Sequence, residues 1–205
     1  MSTVLSAETR TVLENVRWDT FVELAEQRRG SVPRMTFDGG VLEFMSPRRQ
    51  HENIGRLLGR LVETYTEVRE IEIQSVASTT FKRKDLQKAF EADESYYIEH
   101  AELIRPKEEV DLTIDPPPDL VIEVEITSSA IHKLKLFAAM GVPEVWRYDG
   151  EKLQMFELAE AEYAPCERSR SLPELTAITI NGILERRFEM GETAIIREFR
   201  LSLQV

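Results

Sequence analysis

Ten residues near the middle of the chain, Pro118-Asp119-Leu120-Val121-Ile122-Glu123-Val124-Glu125-Ile126-Thr127, constrain the fold most. Their apolar and β-branched residues make a strand, yet the strand carries three acids. Side chains alternate along a strand, so Asp119, Val121, Glu123 and Glu125 share one face while Leu120, Ile122, Val124 and Ile126 fill the other. Neighbouring carboxylates repel, and burying them costs several kcal/mol unless a cation compensates. The simplest compensation is a hard divalent metal held by oxygen ligands. The other reading is a half-exposed strand with a solvated acidic face.

The segment that follows, residues 128–141, begins with Ser128 and Ser129 and ends at Gly141, as a capped helix does. Ile131, Leu134, Phe137 and Ala138 keep helical spacing. Residues 142–149 read as another strand, so acidic strand, short helix and strand form a βαβ-like unit. Lys133 and Lys135 flank the apolar stripe of the helix, and either could reach back toward the acids; a solvated helix-edge charge is the alternative for both. Carboxylates, a divalent metal and a lysine together suit the activation of water against a phosphodiester.

The run PDLVIEVEITSSAIHKLKLFAAMGVPEVWRYD resembles the Uma-type branch of the PD-(D/E)XK nuclease superfamily, a large bacterial family of candidate restriction endonucleases. The similarity extends upstream through FDGGVLEFMSP, HENIGRLLGRL and FEADESYYIE, over roughly residues 15 to 165. It implies a restriction-endonuclease-like αβββαβ core, carboxylate-bound Mg²⁺ or Mn²⁺, a DNA substrate, and self-association. Asp93 matches the aspartate ligand of the second core strand, although Ala92 stands where relatives have proline. Glu123 matches the first acid of the (D/E)XK triplet. Glu125 falls where the superfamily lysine stands, so it is either an additional ligand or a sign that the lysine has moved. Lys133 matches the lysine of the family's strand-helix segment, and Lys135 is second.

Other candidates remain open from the residues. Asp119 could ligate metal or cap the connection behind Pro116-Pro117-Pro118. His51, at the edge of an apolar stripe, could be a core-edge residue or a member of the site. Glu52 points away from that stripe. His100 and His132 lack partners at metal spacing and are expected to be exposed.

Composition narrows the field. The 205 residues suit a single domain with an ample core. The expected layout is one nuclease-like domain over 1–205, with a loose terminus at 1–10 and a helical extension at 171–205. A net charge of −11 argues against a protein that coats nucleic acid through a broad basic surface. Small basic groups remain, at Arg48-Arg49 and at Lys82-Arg83-Lys84 with Lys88. Cys166 is the lone cysteine, which excludes an internal disulfide and a zinc–cysteine cluster and is not expected to act as a nucleophile. No leader-like N-terminus and no membrane-length apolar run is present in the sequence, so the cytoplasm is the expected compartment.

The coarse element order fits an α+β (α/β-like) fold, a mixed sheet flanked by helices, with an N-terminal helix and a β-hairpin. A helix capped by Asp19 is expected over 20–29. Asp38-Gly39-Gly40 marks a hairpin between residues 34–37 and 41–45. Ser46-Pro47 is expected to open a helix carrying Ile54, Leu57, Leu58, Leu61, Val62 and Tyr65 on one stripe, with Gly55 and Gly59 spaced for close packing. Residues 70–81 and 89–98 read as strands. The hairpins at 34–45 and 145–158 leave edges that favour a homodimer. The function these features support is a metal-dependent DNA endonuclease. The rivals are a catalytically inactive nuclease-fold binding or assembly module and a metal-dependent hydrolase of small phosphoesters.

Overall fold

The computed structural model describes residues 8–28 and 30–204. The element order is β1 Glu8–Leu13, α1 Trp18–Gln27, β2 Arg34–Asp38, β3 Val41–Pro47, α2 Arg49–Arg69, β4 Gln74–Ser75, β5 Phe81–Arg83, β6 Lys88–Phe90, β7 Glu94–Tyr97 and α3 Ala101–Ile104. It continues with β8 Leu120–Val124, α4 Lys133–Ala139, β9 Glu144–Tyr148, β10 Leu153–Ala159, β11 Glu162–Cys166, α5 Ala177–Glu185, a 3₁₀ turn Arg186–Phe188 and α6 Glu192–Ser202. The fold is α+β, with the restriction-endonuclease-like order α2, β4, β7, β8, α4, β9 at its centre.

Two sheets are formed, one in the order β1-β3-β2-β6-β5 and the other β11-β10-β9-β8-β7-β4. The β8–β9 pair is parallel and α4 makes the crossover between them, whereas β7–β8 and β9–β10 are antiparallel. β8 is buried along its whole length, which removes the solvated-face reading for Glu123. One face of the second sheet packs on α2, α5 and α6 through residues such as Leu58, Trp146, Ile180 and Phe199. The other face packs on α4 and on the β5–β6 hairpin of the first sheet, with Phe90 and Phe137 edge to face at 4.8 Å. α1 covers the first sheet through Trp18 and Phe21 against Phe37.

The expected hairpin forms with Asp38 opposite Val41, and the turn residues Gly39 and Gly40 have φ of 55° and 100°. Positive φ at both turn positions matches the right-handed twist of the strands, and glycine takes it without strain. α4 stops at Ala139, and Gly141 follows at φ 78°, a left-handed helix end.

Several expectations change. Residues 8–10 are not a loose terminus: they begin β1, which pairs with β3 along its full length, while residues 1–7 lie outside the described residues. α1 runs from Trp18, with Asp19 inside its first turn. Ser46 and Pro47 end β3, and α2 starts at Arg49 without a side-chain cap. Residues 70–81 do not make one strand, because Glu70 and Ala77 take left-handed φ of 54° and 43°. Residues 89–98 split instead of running straight: β6 belongs to the first sheet and β7 to the second, with Glu91 to Asp93 crossing between them. Residues 128–132 are loop, and α4 begins at Lys133 with the His132 ring accepting from the Lys135 amide. The two hairpins expected to leave edges are interior to their sheets, flanked by β1 and β6 and by β8 and β11 respectively, so they supply no argument for a dimer.

Candidate active site

β8 places Glu123 on its α4-facing side, 1% exposed. Glu94 pairs with Ile122, so one step back along the antiparallel register sets Asp93 opposite Glu123. The Val124 amide donates to Asp93 Oδ2 at 2.6 Å and fixes that juxtaposition. The crossing between sheets explains why Asp93 is available: it has left the first sheet and precedes the ladder of the second. α4 then brings Lys133, at its first residue, back over the strand, with Nζ 3.0 Å from Glu123 Oε1. Oε2 of Glu123 is buried with no hydrogen-bond donor among the described residues. Burial pushes the Glu123 carboxyl up to about 7, Lys133 pulls it down, and Asp93 adds to the rise.

His51, in the first turn of α2, stands 3.5 Å from Asp93 Oδ2 and 3.3 Å from Glu8 Oε2. Arg34 of β2 lies 2.8 Å from Asp93 Oδ1 and 3.3 Å from Glu52. Arg10 of β1 bonds Glu8 at 2.8 Å and also Glu43 of β3. Glu43 in turn accepts from Ala130 N at 2.7 Å and Ser129 Oγ at 2.9 Å, and Glu8 accepts from Thr127 N at 3.0 Å. The loop between β8 and α4 is therefore clamped by β1 and β3. Burial works against the charges of Arg10 and Arg34, yet the surrounding carboxylates more than restore them and both pKa values rise.

The structure thus gathers Asp93, Glu123, Lys133 and His51, and sets Glu125 and Asp119 elsewhere. Glu125 lies past the end of β8, where Arg147 donates to it at 2.8 Å and the Ser129 amide at 3.2 Å. Its amide still bonds Tyr148 O of β9 at 2.8 Å, and Arg147 of the same strand holds its carboxylate. Asp119 sits before the other end of β8 and accepts from Ile98 N at 2.7 Å, His100 N at 3.1 Å and His100 Nδ1 at 2.6 Å, the role of a loop cap. His100 is therefore partnered, contrary to expectation. Glu99, His100 and Asp119 are the one group of three among the described residues whose ligand atoms lie within 4.8 Å of one another. Asp119 is fully engaged there by hydrogen bonds, whereas Glu123 keeps an orphaned oxygen. Lys135 and His132 are exposed on the outer side of α4.

Four members of the cluster were not foreseen from the sequence: Glu8, Arg10, Arg34 and Glu43. Two basic candidates are neutralised locally, Arg83 by Asp85 and Lys88 by Asp38, while Lys84 is exposed and reaches only to 3.9 Å from Asp19. Arg48 and Arg49 stay exposed with no carboxylate partner among the described residues. The Cys166 thiol is pushed up to about 11 by burial and by Glu144 and Glu157, which suits no nucleophile at neutral pH.

The donor set fits a hard divalent cation: two facing carboxylates, with Asp93 Oδ1 and both Glu123 oxygens buried without a hydrogen bond and Glu123 Oε2 without an ion pair as well, need only backbone carbonyl and water to complete an oxygen shell. No helix among the described residues is long and apolar enough to cross a membrane.

Comparisons with known proteins bear on the family and the fold. A search of curated proteins found no significant match. Among solved structures, the crystal structure of a "putative nuclease" of the DUF820 family from Anabaena variabilis superposes with a TM-score of 0.57 at 15% identity, covering 82% of this chain and 98% of that one. At that identity the likeness is one of fold. The sequence profile of the Uma2 family, described as "Putative restriction endonuclease", matches residues 18–186 and so spans the crossing strand, β8 and α4 together. The chain belongs to the Uma2 restriction endonuclease-like family.

Proposed function

We propose that the protein is a divalent-metal-dependent DNA endonuclease acting through Asp93, Glu123 and Lys133. The observation that carries this reading is Glu123: a buried carboxylate with one free oxygen, opposite a second carboxylate and 3.0 Å from an ammonium. A purely structural role would leave an orphaned acceptor with a penalty of about 1–3 kcal/mol and no return. A Mg²⁺ or Mn²⁺ ion held by Asp93 and Glu123 would supply Lewis-acid polarisation of the phosphodiester and a lowered pKa for the attacking water.

The chain's own residues do the rest. Lys133 presents a positive charge to the scissile phosphate or orients the attacking water. The triplet position held by Glu125 does not remove this role, since the lysine arrives from α4 rather than from the strand. His51 and Arg34 hold Asp93 in place from two sides, and Arg34 adds positive charge where a phosphate would approach. Glu8, Arg10 and Glu43 fix the loop that leads into α4, so they set the position of Lys133. The cytoplasm is the proposed setting.

The test is nicking of supercoiled plasmid in Mg²⁺ or Mn²⁺ with Glu123→Ala as control. Cleavage by the wild type that needs metal and is lost in Glu123→Ala supports the reading. Cleavage that survives in the variant would come from a contaminant or another site, and no cleavage under any metal condition favours the inactive-module reading.

A further inference from the structure

The first two turns of α2 serve two faces. His51 turns inward to Asp93, whereas Arg49, Gln50 and Asn53 line a separate open cleft of about 760 Å³. Its far wall is the turn after α5, with Arg187 and Phe188. Consecutive helical residues differ by 100° in direction, so Arg49 and Asn53, each two positions from His51, point to the other side of α2 and the same helix end serves both the acidic centre and the cleft.

Phe188 is 79% exposed, an unusual state for an aromatic ring in a well-packed domain. Arg187 lies over that ring at 4.3 Å and anchors itself to Leu184 O at 2.6 Å, so the ring is braced rather than loose. The cationic character of the cleft contrasts with the net charge of −11 of the chain. Arg49, in the cleft wall, has no carboxylate partner among the described residues, and Glu192 at the rim is already engaged by Arg60 at 2.7 Å. A local basic patch on an acidic protein, beside a presented aromatic face, matches the chemistry of a single nucleic-acid strand: arginines for phosphates and a ring on which an unstacked base can lie. Duplex DNA does not offer a free base face. The volume falls within the roughly 300–1,000 Å³ typical of ligand clefts.

We propose that this cleft is a single-strand DNA subsite, in which Phe188 stacks on a base and Arg49 contacts the backbone, next to the acidic centre. The proposal rests on the nuclease reading, since it names the strand that the centre acts on.

The experiment measures fluorescence anisotropy of a labelled oligothymidylate with the full chain in EDTA, so that binding is read without cleavage. Phe188→Ala is expected to weaken binding by about 5- to 150-fold. Phe188→Leu, which keeps apolar bulk but removes the stacking face, is expected to weaken it as well. Arg49→Ala is expected to weaken binding and to lower the slope of log Kd against log salt by about 0.7. Ile178→Ala, at an equally exposed apolar residue on α5, should change nothing. Duplex of the same length should bind less tightly than the single strand.

No binding by the wild type, equal effects of Phe188→Ala and Ile178→Ala, or unchanged affinity in Phe188→Ala each overturn the subsite. Plasmid nicking is assayed in parallel. Nicking without Phe188-dependent binding leaves the nuclease standing and removes the cleft. Phe188-dependent binding with neither plasmid nicking nor cleavage of the oligothymidylate in Mg²⁺ or Mn²⁺ keeps the cleft as a binding site and removes the catalytic reading.

Discussion

Lys133 Nζ lies 3.0 Å from Glu123 Oε1, although a loop and the start of a new helix separate the two residues. The geometry places the ammonium on the carboxylate two residues before Glu125. Lys133→Met keeps the stem and removes the charge. Cleavage is expected to fall by about 10²- to 10³-fold, the range for loss of one preorganised charge-stabilising donor. Mn²⁺ affinity should stay near wild type, since the lysine is not a ligand. Lys135→Met, on the exposed side of α4, is expected to be mild. Single-turnover rates of the two variants check the assignment, and a reversed order would transfer the role to Lys135.

Metal binding itself is expected to need both strands. Calorimetric titration with Mn²⁺ should give weaker binding for Asp93→Ala and for Glu123→Ala, and unchanged binding for Glu125→Ala and Asp119→Ala. Loss in the Asp119 variant alone would move the site to the Glu99–His100–Asp119 group.

Two acids set a pH dependence. Burial raises Glu94 from 4.5 to about 7, helped by Glu63 and Asp93 and opposed by Arg56, and Glu123 is raised similarly. Between about 4.5 and about 7 the folded state binds more protons than the unfolded state. Stability must therefore fall as pH rises through that window and is fully present below it. Metal-free thermal melts should show the decline. Glu94→Gln should flatten it and raise Tm above pH 7 by about 2–4 °C for each kcal/mol recovered. A melting temperature that rises across this window would refute the sign.

The clamp at β1 predicts a stability effect that can be read apart from cleavage. Arg10→Met leaves Glu8 and Glu43 buried without their shared cation, and breaking such a pair from one side costs about 3–5 kcal/mol. Urea denaturation of the metal-free protein is the measurement. A loss under about 1 kcal/mol, the level of an exposed ion pair, would mean that the strand is dispensable.

Gly59 and Gly55 should behave differently on the same helix. A Cβ at Gly59 would stand 2.9 Å from Tyr96 Oη and 3.2 Å from Glu94, so Gly59→Ala is expected to destabilise by about 1–3 kcal/mol. At Gly55 the nearest atoms are 3.7 Å and 3.8 Å away, and alanine gains about 1 kcal/mol of helix propensity. Urea midpoints should move in opposite directions.

The parts of this site that sequence reveals are those held by local rules. Alternation along β8 and the glycine-ended helix after it are short-range patterns, and they lead to Glu123 and Lys133. Asp93 was matched through the family motif, but the bend that frees it was invisible. Nothing in the alternation of residues 89–98 records that the chain changes sheets at Glu91 to Asp93. Left-handed Glu70 and Ala77 hid the break in residues 70–81 for the same reason, because neither residue type signals positive φ. Glu8, Arg10, Arg34 and Glu43 escaped notice because their meaning lies in partners far along the chain. A Glu-x-Arg pair in an N-terminal segment has no local signature of a buried clamp.

The bond from Thr127 N to Glu8 joins residues 119 positions apart. At roughly 5–20 residues per second, the ribosome releases Glu8 roughly 6–24 s before its partner exists. Throughout that interval Glu8 waits for the loop that aims Lys133, and Glu123 itself is added only four residues before Thr127. The clamp at Glu8 thus closes only after 119 further residues have been added, so the centre takes its geometry well after β1 itself has been made.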